Sequence, residues 1–478
     1  MLLLQQLLPT PDRSSSYECR SVVLPAILVL LCIVGLVGEI APGHWIRWAS
    51  YPLLLIFVVA TLLRREKLDL ALLCVALATS AVIGVMHDDP SAIIGAAIEQ
   101  ACFLVAFVLL LSLPQEAAAT SKAVRSVGLF LTSQPALWRF PAIFVGTGLL
   151  SVVFNLGLVA LLAPVILQGH NLERGQFSEG VTADTRSDFV AMFRGFAWAV
   201  LWSPTALAPL LLLQLIPGVD RWRWAVMGAG IAMIVLVASW VSNALTSGNN
   251  ATQTQPARRS AGFLHLLAVC LFYLGFAVLA MRVLDASFIV ALMIAAPVVT
   301  IVWLWIQSRA QRAGAPVRFH RQIAFIIQTR LPVFGRVAYV LALAGYLGGT
   351  LAGLIPADRL MDFLYWGAFP DFIFLGGVAL VIPFLAQFAI SPIVIALFFG
   401  SIFGALPSLP VDPTFLALAI SCGWALSIAS SPFSTIVLIG AGATGLPPQV
   451  LSWKWNGAFM MAAACLCVAV FFILTGGN

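Results

Sequence analysis

The sequence predicts an all-α polytopic membrane protein with about eleven transmembrane helices, two re-entrant hairpins and two inverted-topology repeats that contain discontinuous helices. Three observations support this fold class: the composition, a series of long apolar runs, and a polar interruption that recurs in both halves of the chain. Of the 478 residues, 61% are hydrophobic and 9% are charged, and the mean hydropathy is +1.03. Soluble proteins are about 45–50% apolar and about 25% charged. The composition therefore excludes a soluble enzyme, a nucleic-acid-binding module and a disordered protein.

The apolar runs are spread along the whole chain. A helix needs roughly 20 residues to cross the hydrocarbon core of a bilayer. Runs near this length, single or interrupted, predict membrane-inserted segments at 23–41, 49–63, 68–87, 91–113, 141–168, 188–217, 222–243, 261–281, 286–307, 335–356, 366–410, 412–445 and 455–475.

These segments fall into two halves. Residues 1–48 form an N-terminal segment with the first transmembrane helix, and residues 49–243 and 261–478 form the two predicted repeats. A Gly-, Asn-, Thr- and Gln-rich linker at 244–260 separates them and is expected in the cytoplasm. Each repeat has one hairpin followed by one broken helix, at 141–168 and 188–217 in the first and at 366–410 and 412–445 in the second.

The distribution of Lys and Arg predicts the orientation. Basic residues cluster between the second and third runs, before 141–168, at the end of the linker and in the loop 308–334. All four clusters lie on the cytoplasmic side only if 141–168 enters and leaves the membrane from the cytoplasm. By the same count of crossings, 366–410 enters and leaves from outside. We therefore expect a protein of the plasma (bacterial inner) membrane, with a cytoplasmic N-terminus and a C-terminus outside.

The two hairpins share a pattern. SVVFNLGLVALLAP in the first aligns with QFAISPIVIALFFGS in the second, with Asn155 over Ser391. A serine followed by proline comes 48 residues later in the first half, at Ser203, and 40 residues later in the second, at Ser431. Repeated discontinuous helices of opposite direction are typical of inverted-repeat transporters, which bind their solute where these helices meet.

The interruptions have a physical consequence. A proline inside a helix removes a hydrogen bond, and in lipid the freed backbone groups must find protein, water or solute partners. Half-helix N-termini favour an anion, and freed carbonyl groups favour a cation. The predicted substrate- and ion-binding residues are Asn155, Gly157, Ser203, Pro204, Thr205, Ser391, Pro392, Ser430, Ser431, Pro432, Ser434 and Thr435.

At these residues the chain resembles the ion transporter superfamily, especially its divalent anion/sodium symporter branch, as a remote and divergent member. Asn155 in FNLG matches the asparagine of that family's hairpin tip, and the Ser-Pro pairs at Ser203 and Ser431 match its unwound loops. VLIGAGATG at 437–445 resembles the Gly-rich continuation. The resemblance implies eleven crossings, two opposed hairpins and an elevator-type sliding movement.

The candidate residues are all neutral, which bears on coupling. Sodium needs only several oxygen ligands, whereas a proton-driven carrier ordinarily needs an acidic residue or a histidine in the pathway. We predict sodium-coupled symport of a small anion, with sodium as the coupling ion and no other cofactor or metal, and no enzyme activity. Glu99 and Arg194 are further candidates for coupling or for steering the anion.

The sequence leaves two alternatives open: a proton-coupled carrier of the same fold, and an integral-membrane transferase acting on a lipid-linked substrate. We expect the lipid bilayer and a small anionic solute as partners, a homodimer as a further assembly, and no nucleic acid.

Overall fold

A computed structural model describes residues 16–41, 43–62, 67–154, 157–174, 182–246, 261–310, 319–354 and 370–477. Every regular element in these ranges is helical, which confirms the all-α prediction. Asn155, the predicted tip of the first hairpin, lies outside the described residues.

The first half contains ten helices within the described ranges. They are α1 Ser16–Ile40, α2 His44–Leu62, α3 Lys67–Met86, α4 Pro90–Ala119, α5 Lys122–Thr132, α6 Ala136–Phe154, α7 Gly157–Arg174, α8 Ala183–Ala199, α9 Leu207–Leu215 and α10 Arg221–Thr246.

The second half contains nine α-helices and two π-helical segments within the described ranges. They are α11 Ala261–Leu284, α12 Phe288–Ala310, α13 Phe319–Phe325, the π segment Ile326–Arg330, α14 Leu331–Leu354, α15 Asp371–Ala386, α16 Pro392–Gly404, α17 Pro413–Ser430, α18 Thr435–Thr444, the π segment Val450–Gly457 and α19 Ala458–Thr475.

Eight helical stretches among the described residues are long and apolar enough to cross a membrane, and six shorter apolar helices accompany them. Several elements extend beyond the predicted spans, and two of these extensions are packed into the protein or change the helix type. The helix predicted at 91–113 continues through Pro114 to Ala119, because its last turns pack into the protein and the Gln307 side chain donates to the Ala117 carbonyl at 2.9 Å. The helix predicted from residue 335 begins at Phe319 and passes through the first π segment.

Helices α4 and α14 form the centre of one group of helices, which we call the scaffold. They run antiparallel, since Gly345, Gly349 and Gly353 contact residues of α4 that fall progressively earlier in the chain. An ion pair between Glu116 and Arg330, 3.2 Å long, closes one end of this pair. Helices α1 and α12 pack against α4, and α3 packs against α14.

The hairpins and broken helices form a second group. Helix α6 packs along α8, and α15 packs along α17 in the same way. The broken helices α8 and α17 also contact each other, and the second hairpin touches the scaffold through α16 and α14. The two groups are therefore built from different helices of both halves.

The start of α10 and the loop before α17 are joined by polar contacts. Arg223 Nη1 lies 2.6 Å from Asp412 Oδ2, and Asp412 also accepts a 2.7 Å hydrogen bond from the Thr414 amide at the start of α17. Partial burial alone would raise the pKa of Asp412, but these hydrogen bonds outweigh it and hold that pKa below its usual range.

Asp412→Ala is expected to lower the stability of the protein by about 1–2 kcal/mol at pH 7, because it removes both a helix N-cap and an ion pair. Asp412→Asn is the matched control, since asparagine can still cap α17. A carboxylate with a lowered folded-state pKa stabilises the protein above the pKa of the unfolded chain, about 3.9, and this contribution disappears as the pH falls through the folded value. Melting curves of purified protein at pH 7 and pH 3 check this, and an equal alanine effect at both pH values would contradict it.

Candidate functional site

The first Ser-Pro break lies between α8 and α9. The amides of Trp202 and Ser203 both donate to the Ala199 carbonyl, and the chain then leaves the helix until Leu207. Ser203 and Thr205 are buried, and their hydroxyl oxygens lie 3.3 Å apart. The break therefore places two hydroxyl groups inside the protein at a point where the helix has no regular backbone hydrogen bonds.

The second break, between α17 and α18, has a similar construction. The Ser431 amide donates to the Ser427 carbonyl, and the backbone at Ser431 is extended, with φ −88° and ψ 129°. The Ser431 hydroxyl also accepts a 3.2 Å hydrogen bond from the Phe433 amide. Ser434, at the start of α18, is buried, and its side chain does not cap the helix.

Each break is tied to the hairpin of its own half by a hydroxyl group. Thr205 Oγ1 donates to the Val152 carbonyl in the last turn of α6. Ser431 Oγ donates to the Ala386 carbonyl at the end of α15, at 2.7 Å. The last carbonyl groups of a helix lack partners within the helix, so both hydroxyls satisfy backbone groups just before a hairpin tip.

A glycine brings each broken helix close to its hairpin. Gly195 and Gly423 each lie eight residues before the serine of the Ser-Pro pair. A Cβ atom on Gly195 would overlap the Phe144 carbonyl, and one on Gly423 would come within 2.6 Å of the Ala379 carbonyl. Any larger residue would push the helices apart at both positions.

The tip of the second hairpin is a tight turn. Ala389 has φ +63°, a left-handed backbone conformation that residues other than glycine rarely adopt. Ser391 precedes α16 and Pro392 is its first residue, but the Ser391 side chain does not cap the helix. Gln387 accepts a 3.0 Å hydrogen bond from the indole N–H of Trp453 in the second π segment.

The first hairpin meets the scaffold near its tip. The Gly157 amide, at the start of α7, donates to Gln115 Oε1 of α4 at 3.1 Å. A Cβ atom on Gly157 would collide with the Gln115 side chain, which is 7% exposed. Gln115, Gln387 and Trp453 were not among the residues predicted for the site. The only available signal was the presence of polar residues next to apolar runs.

The predicted site residues differ in their surroundings. The Ser430 hydroxyl donates to the Leu426 carbonyl of its own helix, at 2.7 Å. Pro432 is buried, Pro204 is half-buried, and Thr435 is exposed. The hydrogen bonds of Thr205 and Ser431 join each break to its own hairpin. Helices α7 and α16 pack against the opposite half, on α18 and α9 respectively.

Glu99 faces a different part of the molecule. It lines a cavity of about 380 Å³ between α1, α2 and α4, together with Glu39, Ser50 and Cys102. No residue of the breaks or hairpins is among those lining this cavity. Glu99 is thus a scaffold residue.

Arg194 is a buried residue of α8, and it does not extend to the surface. Its side chain is 5% exposed, its Nε donates to Asn456 Oδ1 at 3.1 Å, and its Nη2 donates to the Trp455 carbonyl at 3.5 Å. The guanidinium carbon lies 3.7 Å from the ring centroid of Phe459. Three neighbouring residues of the second half therefore hold an arginine of the first half.

No family model matches the chain, and no curated protein matches it. Among solved structures, the chain is similar to the YdaH transporter of Alcanivorax borkumensis, whose crystal structure is described as revealing an unusual topology. The likeness has a TM-score of 0.56 at 14% sequence identity, and it covers 86% of this chain and 98% of the other. The chain is thus a polytopic membrane protein. Its fold is shared with a membrane transporter.

Proposed function

We propose that this protein is a secondary active transporter that moves a small anion across the membrane by elevator-type alternating access, with sodium as the coupling ion. The observation that carries the proposal is the matched pair of hydroxyl bonds from Thr205 and Ser431 to the ends of α6 and α15. In each half, a break supports a hairpin tip in the same way. This agreement favours a pair of inverted repeats, at 49–243 and 261–478, over two helix kinks that arose independently.

The broken helices favour an anionic solute. Helices α9 and α18 both begin at a break, and neither has a side-chain hydrogen bond capping its first turn among the described residues. The first amides of a helix lack partners within the helix and carry a partial positive charge. Either set of amides can donate hydrogen bonds to a small anion.

Sodium suits the remaining groups of the site. Ser203, Thr205 and Ser431 supply neutral oxygen atoms, and unwound backbone supplies carbonyl groups. None of the predicted binding residues carries a charge. Glu99, the acidic candidate, lies in the scaffold cavity with Glu39, so a proton-coupled carrier that uses this carboxylate pair is the second candidate.

The two groups of helices support the elevator mechanism. The hairpins and broken helices pack mainly with one another, and they meet the scaffold where α16 packs on α14 and where α6 and α7 pack on α4, a contact that includes the Gln115–Gly157 hydrogen bond. A rigid group of this kind can slide along a fixed scaffold without rearrangement of its own hydrogen bonds.

Uptake into proteoliposomes tests the function and its coupling. Radiolabelled succinate, benzoate, phosphate and sulfate are offered under an imposed sodium gradient or an imposed proton gradient. We expect a sodium gradient to drive uptake of at least one anion, and Glu99→Gln to leave this uptake within about twofold. Uptake that follows the proton gradient and is lost in Glu99→Gln, with Glu39→Gln as a companion variant, would support the second candidate. Absence of uptake under both gradients would contradict the proposal.

A further inference from the structure

Arg194 carries a charge that its surroundings do not neutralise. Its partners among the described residues are a side-chain amide oxygen, a backbone carbonyl and an aromatic ring, all of them neutral. Among the described residues, no carboxylate forms an ion pair with it. A buried charge without a counter-charge is strongly unfavourable, so the positive potential of Arg194 remains available to attract an anion nearby.

The corresponding position in the second half has no charge. Arg194 directly precedes Gly195, and Cys422 directly precedes Gly423, the equivalent glycine of α17. Cys422 is fully buried at the same place on its helix. Since a cysteine satisfies the packing there, the helix contact alone does not require an arginine.

Arg194 is close enough to the first break to act on a charged solute. It lies nine residues before Ser203, about 13 Å along a helix. Two unit charges at about this distance, with an effective protein dielectric constant of about 20, change a dissociation constant about tenfold. Arg194 lies within the last two turns of α8, on the side of the helix end that leads into the break.

We propose that Arg194 is the residue that selects anions, its buried positive charge being held in place by Asn456, Trp455 and Phe459. This inference rests on the proposed transport of an anion and assigns the charge selectivity of that same site. Arg194 does not touch the solute. It acts through the electrostatic potential at the break, and Asn456 positions it.

Two variants remove the charge in different ways. Arg194→Gln deletes it, and Asn456→Asp neutralises it by placing a carboxylate beside Nε without altering Arg194. Arg194→Lys keeps the charge. Arg309→Gln is the matched control, because Arg309 also stacks on a ring, 4.0 Å from the centroid of Trp305, but is exposed.

The measurement is the half-saturating concentration of sodium succinate, benzoate, phosphate and sulfate, obtained by thermal shift on the purified full-length protein. For the anions that bind, we expect Arg194→Gln and Asn456→Asp to raise this concentration about tenfold, equivalent to about 1.4 kcal/mol. Arg194→Lys and Arg309→Gln should stay within about threefold of the unaltered protein.

The outcomes separate the two proposals. If the unaltered protein binds none of the four anions, the proposed function is wrong and the role of Arg194 with it. If the unaltered protein binds an anion and Asn456→Asp binds it equally well, only the role of Arg194 is wrong, and this holds even if Arg194→Gln does not fold. Equal weakening by Arg194→Lys and Arg194→Gln would likewise overturn it, since the hydrogen bonds and not the charge would then matter.

Discussion

Ser431→Leu is expected to abolish uptake while the protein still reaches the membrane. The substitution removes the hydrogen bond to the Ala386 carbonyl and places a large side chain at a position that is 1% exposed. An unsatisfied buried polar group costs about 1–3 kcal/mol, and overpacking costs a similar amount. A loss of about 3 kcal/mol in the free energy of solute binding at the distorted break corresponds to more than a hundredfold loss of affinity. Uptake is expected to fall with that affinity. Uptake of the transported anion into proteoliposomes, normalised to protein content, measures it.

Neighbouring residues supply the controls for Ser431→Leu. Ser430→Ala removes a hydroxyl that bonds only within α17, at the Leu426 carbonyl, and should leave uptake within about twofold. Ser431→Thr keeps a hydroxyl group and should retain part of the activity. Normal uptake by Ser431→Leu, or a loss in Ser430→Ala as large as in Ser431→Leu, would remove Ser431 from the site.

Gly195→Ala and Gly423→Ala are expected to destabilise the protein by about 1–3 kcal/mol each, because the new methyl group meets a backbone carbonyl of the neighbouring hairpin helix. A backbone group cannot change rotamer to make room. The apparent melting temperature of the purified protein should fall in both variants, and uptake should fall with it because the breaks and hairpins no longer meet correctly.

Glycines with open space at the Cβ position provide matched controls for this pair. A Cβ atom on Gly230 in α10 or on Gly275 in α11 would meet no atom of a neighbouring helix within 4 Å. Alanine is favoured over glycine in a helix by about 1 kcal/mol, so Gly230→Ala and Gly275→Ala should be neutral or stabilising. If the melting temperature changed by the same amount in all four variants, the prediction would be wrong. Glycine at 195 and 423 would then not be required by close helix contact.

The sequence predicted the helices better than it predicted their partners. Apolar length and Ser-Pro pairs are local signals, and the structure has a break at Ser203 and another at Ser431. The contacts of Gln115 with Gly157 and of Arg194 with Asn456 join residues 42 and 262 positions apart. No periodicity links such distant residues, so these partners could not be found from one sequence.

Helix ends were predicted less well than helix centres. The apolar run was predicted to end at residue 113, where a polar stretch begins, yet α4 continues through Pro114 to Ala119. The Gln307 hydrogen bond and the burial of Gln115 hold these last turns in place. Tertiary packing thus overrides the local cost of a proline, which is a property of the folded protein and not of the segment.

Ala389 gives the second hairpin a preformed tip. Glycine would adopt its left-handed backbone freely, but a glycine there would also make the turn flexible. Alanine bears some strain, on the order of 1–2 kcal/mol, and restricts the chain to fewer conformations. The conformational entropy of this turn is therefore lost once, during folding, and is not lost again when the proposed solute binds. A turn that is already ordered subtracts less from binding affinity than a loop that must become ordered first.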